Sequence, residues 1–378
     1  MTRILHYIPE IKEKDIISDS VTSLVSLLKE KEEVKLMTQA EKLQVVLNEY
    51  KPEIIHLHIC WDYDAYKLYK QIQSSGIAWI VSLHGELEPY TMRNERYMEK
   101  RYKEVLYFKQ MIQTADATIV SSISEQENLT KLGWTNRICT IPSYLLDSSI
   151  SIGEVVEQTL LLYRKVIDTR YHILMSEEEK YAICALLNAC VSQNVKWKVL
   201  SSDQILNLRS LNPSQWQRIM LYASDEDILE EIMKGIGIVQ LDTPYINVDS
   251  ISRFPRPLQK AKGQLLTKEM SLKTSSLNNL TQKEEKDLRQ LAMKLMAAQK
   301  YVQHKQFSMR HLMELYKEML FGDYDEDRLV AILKGLRLKT FTARILQLLK
   351  DYFSLSEGFL PFEAINDKDT QMIRNMIL

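Results

Sequence analysis

The first 145 residues alternate short apolar runs with amphipathic segments of helical period, and that alternation limits the fold more than any other feature of the chain. Ile4-Leu5-His6-Tyr7-Ile8 reads as a strand, and Ile17, Val21, Leu24, Val25 and Leu28 recur at the spacing of one helix face. A short strand over 34–37 and a helix over 40–50 follow, the helix stopped by Pro52. An apolar strand over 54–60 leads into a helix over 62–74 that ends at Gly76. Residues 77–83 form the most continuous apolar strand. Next come a helix over 95–113, a strand over 117–120, a helix opened by the capping box Ser124-Glu125-Gln126-Glu127 and stopped at Gly133, and a strand over 137–141. Strands separated by helices of this length pair in parallel, giving an α/β, doubly wound, Rossmann-like sheet covered on both faces. Right-handed crossovers bring every carboxyl end to one edge. That edge collects Pro9-Glu10, Cys60-Trp61-Asp62, His84-Gly85-Glu86 and Ser121-Ser122.

Beyond residue 150 the pattern becomes helical. Residues 1–147 form the α/β domain, and 148–252 read as mostly helical, with a capping box at Ser176–Glu179 and one strand over 236–241. Residues 253–280 set Arg253, Arg256, Lys260, Lys262, Lys268 and Lys273 against Glu269 and read as a basic, flexible linker. Residues 281–378 carry leucine stripes at helical spacing, which belong to a core. These helices are the surface for a protein partner or a second copy of the chain.

A length of 378 residues suits two domains, and 45% apolar residues suffice for a substantial core. Lys plus Arg, 49, balances Asp plus Glu, 50, so no overall charge draws the chain to nucleic acid. No apolar window approaches the ~18 residues of a membrane span, and the N-terminal apolar run is too short for a signal peptide. Cys60, Cys139, Cys184 and Cys190 have neither zinc nor disulfide spacing. A cytoplasmic protein is expected.

His84 is the leading candidate for chemistry. It ends the most apolar strand, and Gly85 lets the backbone approach a ligand closely. An imidazole there can bond a substrate hydroxyl or act as acid or base near neutral pH. Glu86 and Glu88 add acceptors, and Arg93 adds a phosphate-matching fork. Trp61 and Asp62 offer a stacking face and a carboxylate, the pair that grips a sugar or a base; as a helix start, Asp62 would simply cap. His56 and His58 share a strand face, but a metal needs a third ligand and an open approach, so no metal is expected. Neither G-x-G-x-x-G nor G-x-x-x-x-G-K-[ST] occurs, which disfavours dinucleotide and P-loop chemistry.

Several pieces, in order, resemble the first domain of family-4-like GT-B glycosyltransferases. They are I-L-H-Y-I-P at 4–9, P-E-I-I-H-L-H-I-C-W-D-Y at 52–63, V-S-L-H-G-E-L-E-P-Y at 81–90, A-D-A-T-I-V-S-S-I-S-E-Q-E-N-L at 115–129 and R-I-C-T-I-P-S at 137–143. The resemblance implies that this domain faces a sugar acceptor, that His84 lies near the transferred sugar, and that Glu125 lies near the rim of the cleft; Ser122, on the same sheet edge, is a further candidate for binding the substrate. It also implies a second Rossmann-like domain for a nucleotide-sugar donor. That half departs from the family. The glycine-rich loop after the first strand is absent, and only Glu230, in L-E-E-I-M-K-G, falls where the second donor glutamate would, with Tyr222 in place of the first. The expectation is a divergent or catalytically degenerate glycosyltransferase-like protein linked to polysaccharide or glycoconjugate synthesis. The alternatives are an active retaining transferase using a nucleotide-sugar, and a non-catalytic scaffold or regulatory binding protein. No cofactor beyond such a donor is implied.

Overall fold

A computed structural model describes the chain except for residues 59–60, 62, 95–96, 146–148, 192–199, 255–273, 283 and 378. It divides into two compact units, Met1–Arg170 with Ile251–Pro257, and Tyr171–Ser250 with Leu258–Leu378.

The first unit is built on a six-stranded parallel sheet of order β2-β1-β3-β4-β5-β6. The strands are β1 (Arg3–Tyr7), β2 (Glu33–Met37), β3 (Ile54–His58), β4 (Ala78–Ser82), β5 (Ala117–Val120) and β6 (Ile138–Thr140). β3 and β4 are buried at every residue, as central strands of a parallel sheet covered on both faces are, although β3 carries His56 and His58 and β4 ends in Ser82. Even-numbered side chains of β1, β3 and β4 face one side, where Ile4, Ile54, Ala78 and Ile80 pack with α1 (Ile16–Leu28). Odd-numbered ones, including Leu5, Ile55, Leu57, Trp79 and Val81, pack on the other with α2 (Leu43–Tyr50) and α3 (Tyr63–Ser75). The connections from β1 and from β3 leave in opposite lateral directions. The β1–β3 boundary is therefore the switch point at which α/β sheets form a crevice.

Three local expectations change. In the stretch expected as one helix over 95–113, the described residues form α5 (Tyr97–Lys103), a π-helical turn at Glu104–Phe108 and α6 (Lys109–Thr114), with α4 (Pro89–Asn94) ahead of that stretch. The turn aims Tyr107 and Phe108 into the core. The cap of α7 (Ile123–Leu132) is Ser122 rather than Ser124: its Oγ accepts the Glu125 N–H at 3.0 Å, and Glu125 is released for other bonds. The first unit also continues past residue 147, because α8 (Ile152–Thr169), opened by a Ser151–Glu154 capping box, lays Val155, Leu160, Tyr163 and Val166 onto the sheet. Arg170 then donates to Asp116 at 2.6 Å, and Phe254 returns to this core, its N–H donating to Thr169 Oγ1 at 2.9 Å.

The described residues of the second unit form helices. The Ser176–Glu179 capping box is present, with Glu179 Oε2 accepting the Ser176 N–H at 2.8 Å. Of the strand expected over 236–241, residues 236–239 are the end of the helix Leu229–Val239 and Gln240 is its left-handed cap. Alternation of Ile236 and Ile238 suggested a strand, but the buried spacing is Ile228, Ile232, Gly235 and Ile236, which is helical. Gly235 lies so close to Leu186 that an added Cβ would stand 2.4 Å from its carbonyl oxygen. Most of the basic stretch, including Arg256, Lys260, Lys262, Lys268, Glu269 and Lys273, lies outside the described residues. Among the described residues no helix is long and apolar enough to cross a membrane.

Candidate functional site

Parallel register decides which side chains meet at the carboxyl edge. His6 of β1 lies beside His56 of β3, and His58 beside Ser82 of β4. All four have even numbers and so face the α8 side. His6, His56, His58 and Ser82 are buried, as is Tyr163, which reaches them from α8. His84, two residues past β4, is partly exposed.

The polar atoms form one continuous chain. His84 Nε2 is 3.0 Å from His58 Nδ1, and His58 Nε2 is 2.9 Å from His6 Nδ1. His6 Nε2 is 3.1 Å from the Tyr163 hydroxyl, which lies 2.8 Å from His56 Nδ1. His56 Nε2 ends the chain at Ser82 Oγ, 2.7 Å away. The rings also stack, with His6 and His58 centroids 5.2 Å apart at 14°. Burial holds His6 down to about 3 and pushes His56 and His58 well below the usual imidazole value. It lowers His84 to about 4, with the nearby Asp15 carboxylate opposing the shift. All four rings are therefore neutral at pH 7.

Nitrogens of His6, His56 and His58 lie within 4.8 Å of one another, a third imidazole beyond the pair visible in β3. Ligand nitrogens around a tetrahedral ion, each ~2.0–2.1 Å from it, stand about 3.3 Å apart with lone pairs converging on one point. Here both nitrogens of all three rings already meet hydrogen-bond partners, and a metal would have to replace those bonds.

Beside the chain is a cavity of about 50 Å³, lined by His56, His58, His84, four serines including Ser82 and Ser121, and Thr159, together with six apolar residues, Leu24, Ile119 and Ile141 among them. It has room for a few waters or one end of a polar ligand. Among the described residues its lining contains no lysine, arginine or carboxylate. Such a site offers neutral hydrogen-bonding groups.

His84 and Gly85 both have left-handed backbone, φ +52° and +84°. For His84 that costs ~1–2 kcal/mol, and Glu125 holds the turn in place. Fully buried, Glu125 accepts the N–H groups of Gly85 at 3.3 Å, Leu87 at 3.0 Å and Ser121 at 2.9 Å. Burial raises its pKa while these bonds oppose the rise. Asn128 completes the brace by donating to the Leu87 carbonyl at 2.7 Å. Glu125 is thus a clamp joining two strand ends.

The other candidates disperse. Glu86 pairs with Lys100 at 2.8 Å, and Glu88 accepts from the Ser122 hydroxyl. Trp61 is buried, stacked on Phe108 with centroids 3.9 Å apart, and so offers no face to a sugar. Asp62 lies outside the described residues, as does the side chain of Arg93, whose backbone is in α4. Glu230 is exposed and pairs with Lys234 at 2.7 Å on its own helix. His6, Ser82 and Tyr163 were not singled out in the sequence. His6 and Ser82 could have been found by extending the even-residue face of β3 to its neighbours, whereas Tyr163 carries no local signal. The chain matches no protein-family model, no curated protein and no solved structure.

Proposed function

We propose that this protein is a glycosyltransferase-like protein of the family-4 GT-B type that does not transfer sugar from a nucleotide donor, and that its first unit binds a neutral, hydroxyl-rich ligand such as a sugar at the carboxyl edge of the sheet. The observation that carries this reading is the cavity beside His84, whose described lining combines imidazoles and hydroxyls with apolar residues and holds no charged side chain. Transfer from a nucleotide-sugar requires stabilisation of the leaving diphosphate, usually by cations or helix N-termini. Neutral hydroxyl and imidazole groups suit a polyol instead, since each can donate or accept. The helical second unit and the exposed, locally paired Glu230 agree with a lost donor site.

Calorimetric titration with UDP-glucose and GDP-mannose is expected to give no heat of binding, in wild type and Glu230→Ala alike. Micromolar affinity abolished by Glu230→Ala would overturn the loss of donor binding. Saturation-transfer NMR with methyl glucoside and methyl mannoside is expected to show contact that His84→Ala removes; silence with both sugars would reject the sugar-binding half of the reading.

A further inference from the structure

The six groups from His84 to Ser82 differ from an ordinary buried polar cluster in one respect: the chain they make leaves the cavity and returns to it. His84 and Ser82, its two ends, both line the cavity, whereas His6 and Tyr163, at its middle, do not. We propose that these groups are a proton relay, by which a ligand with a hydroxyl donor and a nearby acceptor loses a proton at one end and receives one at the other.

Proton counting supports this. A neutral imidazole has one N–H and one bare nitrogen, and a hydroxyl has one proton. With one proton in each of the five contacts, and with the proton of the buried Tyr163 hydroxyl bonded within the chain rather than left without a partner, every member between the two ends must donate on one side and accept on the other. Only two arrangements satisfy that condition. In the first, all four imidazoles carry hydrogen on Nδ1, and Ser82 donates to His56, His56 to Tyr163, Tyr163 to His6, His6 to His58, and His58 to His84. In the second, all four carry it on Nε2 and every bond runs the other way.

Passing between the two moves a proton without leaving a charge. The ligand hydroxyl gives its proton to Ser82 Oγ, whose own proton moves to His56 Nε2. The proton on His56 Nδ1 passes to the Tyr163 oxygen, and that of Tyr163 to His6 Nε2. His6 then gives its Nδ1 proton to His58 Nε2, and His58 gives its own to His84 Nε2. His84 releases its Nδ1 proton to the ligand's acceptor. Each O–H or N–H bond broken is matched by one formed, and every relay group is neutral before and after. This suits the site, because burial opposes the imidazolium form in His6, His56 and His58. Among the described residues no side chain bonds His84 Nδ1, which leaves that atom available. The relay does not depend on the ligand being a sugar, and its test reads the rings themselves.

The test is nitrogen-15 NMR of the histidine rings, which distinguishes Nδ1–H from Nε2–H in each. In the wild-type protein at pH 7 the four relay rings are expected to share one ratio of the two tautomers, unlike His172, His304 and His311. Ser82→Ala, which removes the terminal hydroxyl, is expected to shift that ratio at His6 and His58 as well as at His56. In a Tyr163→Phe background the same change should stop at His56. Unequal ratios among the four wild-type rings, or a Ser82→Ala effect confined to His56 while Tyr163 is present, would overturn the relay. So would zinc or copper retained stoichiometrically by the purified protein, because a metal would occupy the nitrogens that the relay needs. If Tyr163→Phe fails to fold, the wild-type ratios and Ser82→Ala still decide the question.

Discussion

The Glu125 carboxylate accepts the backbone N–H of Leu87 at 3.0 Å, joining the turn after β4 to the first turn of α7 across 38 residues of sequence. The same carboxylate takes the partly buried N–H groups of Gly85 and Ser121, so three backbone donors, that of Leu87 buried, depend on one side chain. Removing it orphans them, at ~1–3 kcal/mol for each buried group and less than additively. Glu125→Ala is expected to lower stability by about 3 kcal/mol, read from the urea midpoint. Glu125→Gln, which retains one acceptor oxygen, should lose less.

Acid should destabilise the first unit through its histidines. His6 is held down to about 3, and His56 and His58 well below the usual value, so between that range and about 6.5 the unfolded chain binds protons that the folded one refuses. Stability therefore rises with pH through this window: it is fully present above about 6.5 and is lost as pH falls towards 3. Each such histidine adds up to about 1.4 kcal/mol of loss per pH unit. Thermal melts from pH 7 to 4 should show a slope that flattens in His6→Phe; an unchanged slope would place the proton uptake elsewhere.

At the opposite end of the strands, Asp116 accepts the Trp79 N–H at 3.0 Å and Arg170 at 2.6 Å, tying the end of α8 to the sheet. Truncating one member of a buried ion pair costs ~3–5 kcal/mol, because the other charge remains without a partner. Asp116→Ala is expected to destabilise by about that amount in chemical denaturation, more than Asp116→Asn, which keeps an acceptor for Trp79.

Two glycines on one helix should respond in opposite directions. A Cβ on Gly235 would meet the Leu186 carbonyl oxygen at 2.4 Å, whereas one on Gly237 meets nothing within 4 Å. Gly235→Ala is expected to force the helices apart and cost at least ~1–3 kcal/mol, the range for overpacking. Gly237→Ala should stabilise by up to ~1 kcal/mol through helix propensity. Paired thermal melts check the contrast, and a stabilised Gly235→Ala protein would refute the close approach.

The parallel α/β class was legible because β3 and β4 are short apolar runs between helical periods, and a run too short for a helix has few other places to go. His84 was legible because it ends such a run. Trp61 reads in the sequence as a stacking face because composition places an aromatic at the strand end without saying which way it points; in the structure it is buried and stacked on Phe108, which the π-helical turn at Glu104–Phe108 supplies. Residues 236–241 were misread because apolar residues two apart fit a strand as well as part of a helix.

By itself the sequence determined the order of the strands along the chain, the helical character of most of the second half and the presence of a histidine at the end of β4. Periodicity and chain stops act locally, over about ten residues, so they survive without knowledge of the fold. Tertiary structure alone decided that His6, His56, His58 and His84 share one hydrogen-bonded chain and that Tyr163, 107 residues after His56, bridges it. Strand register and helix docking are long-range consequences of burying apolar faces. A single side chain on α8 carries no mark in the sequence of the imidazoles it will meet.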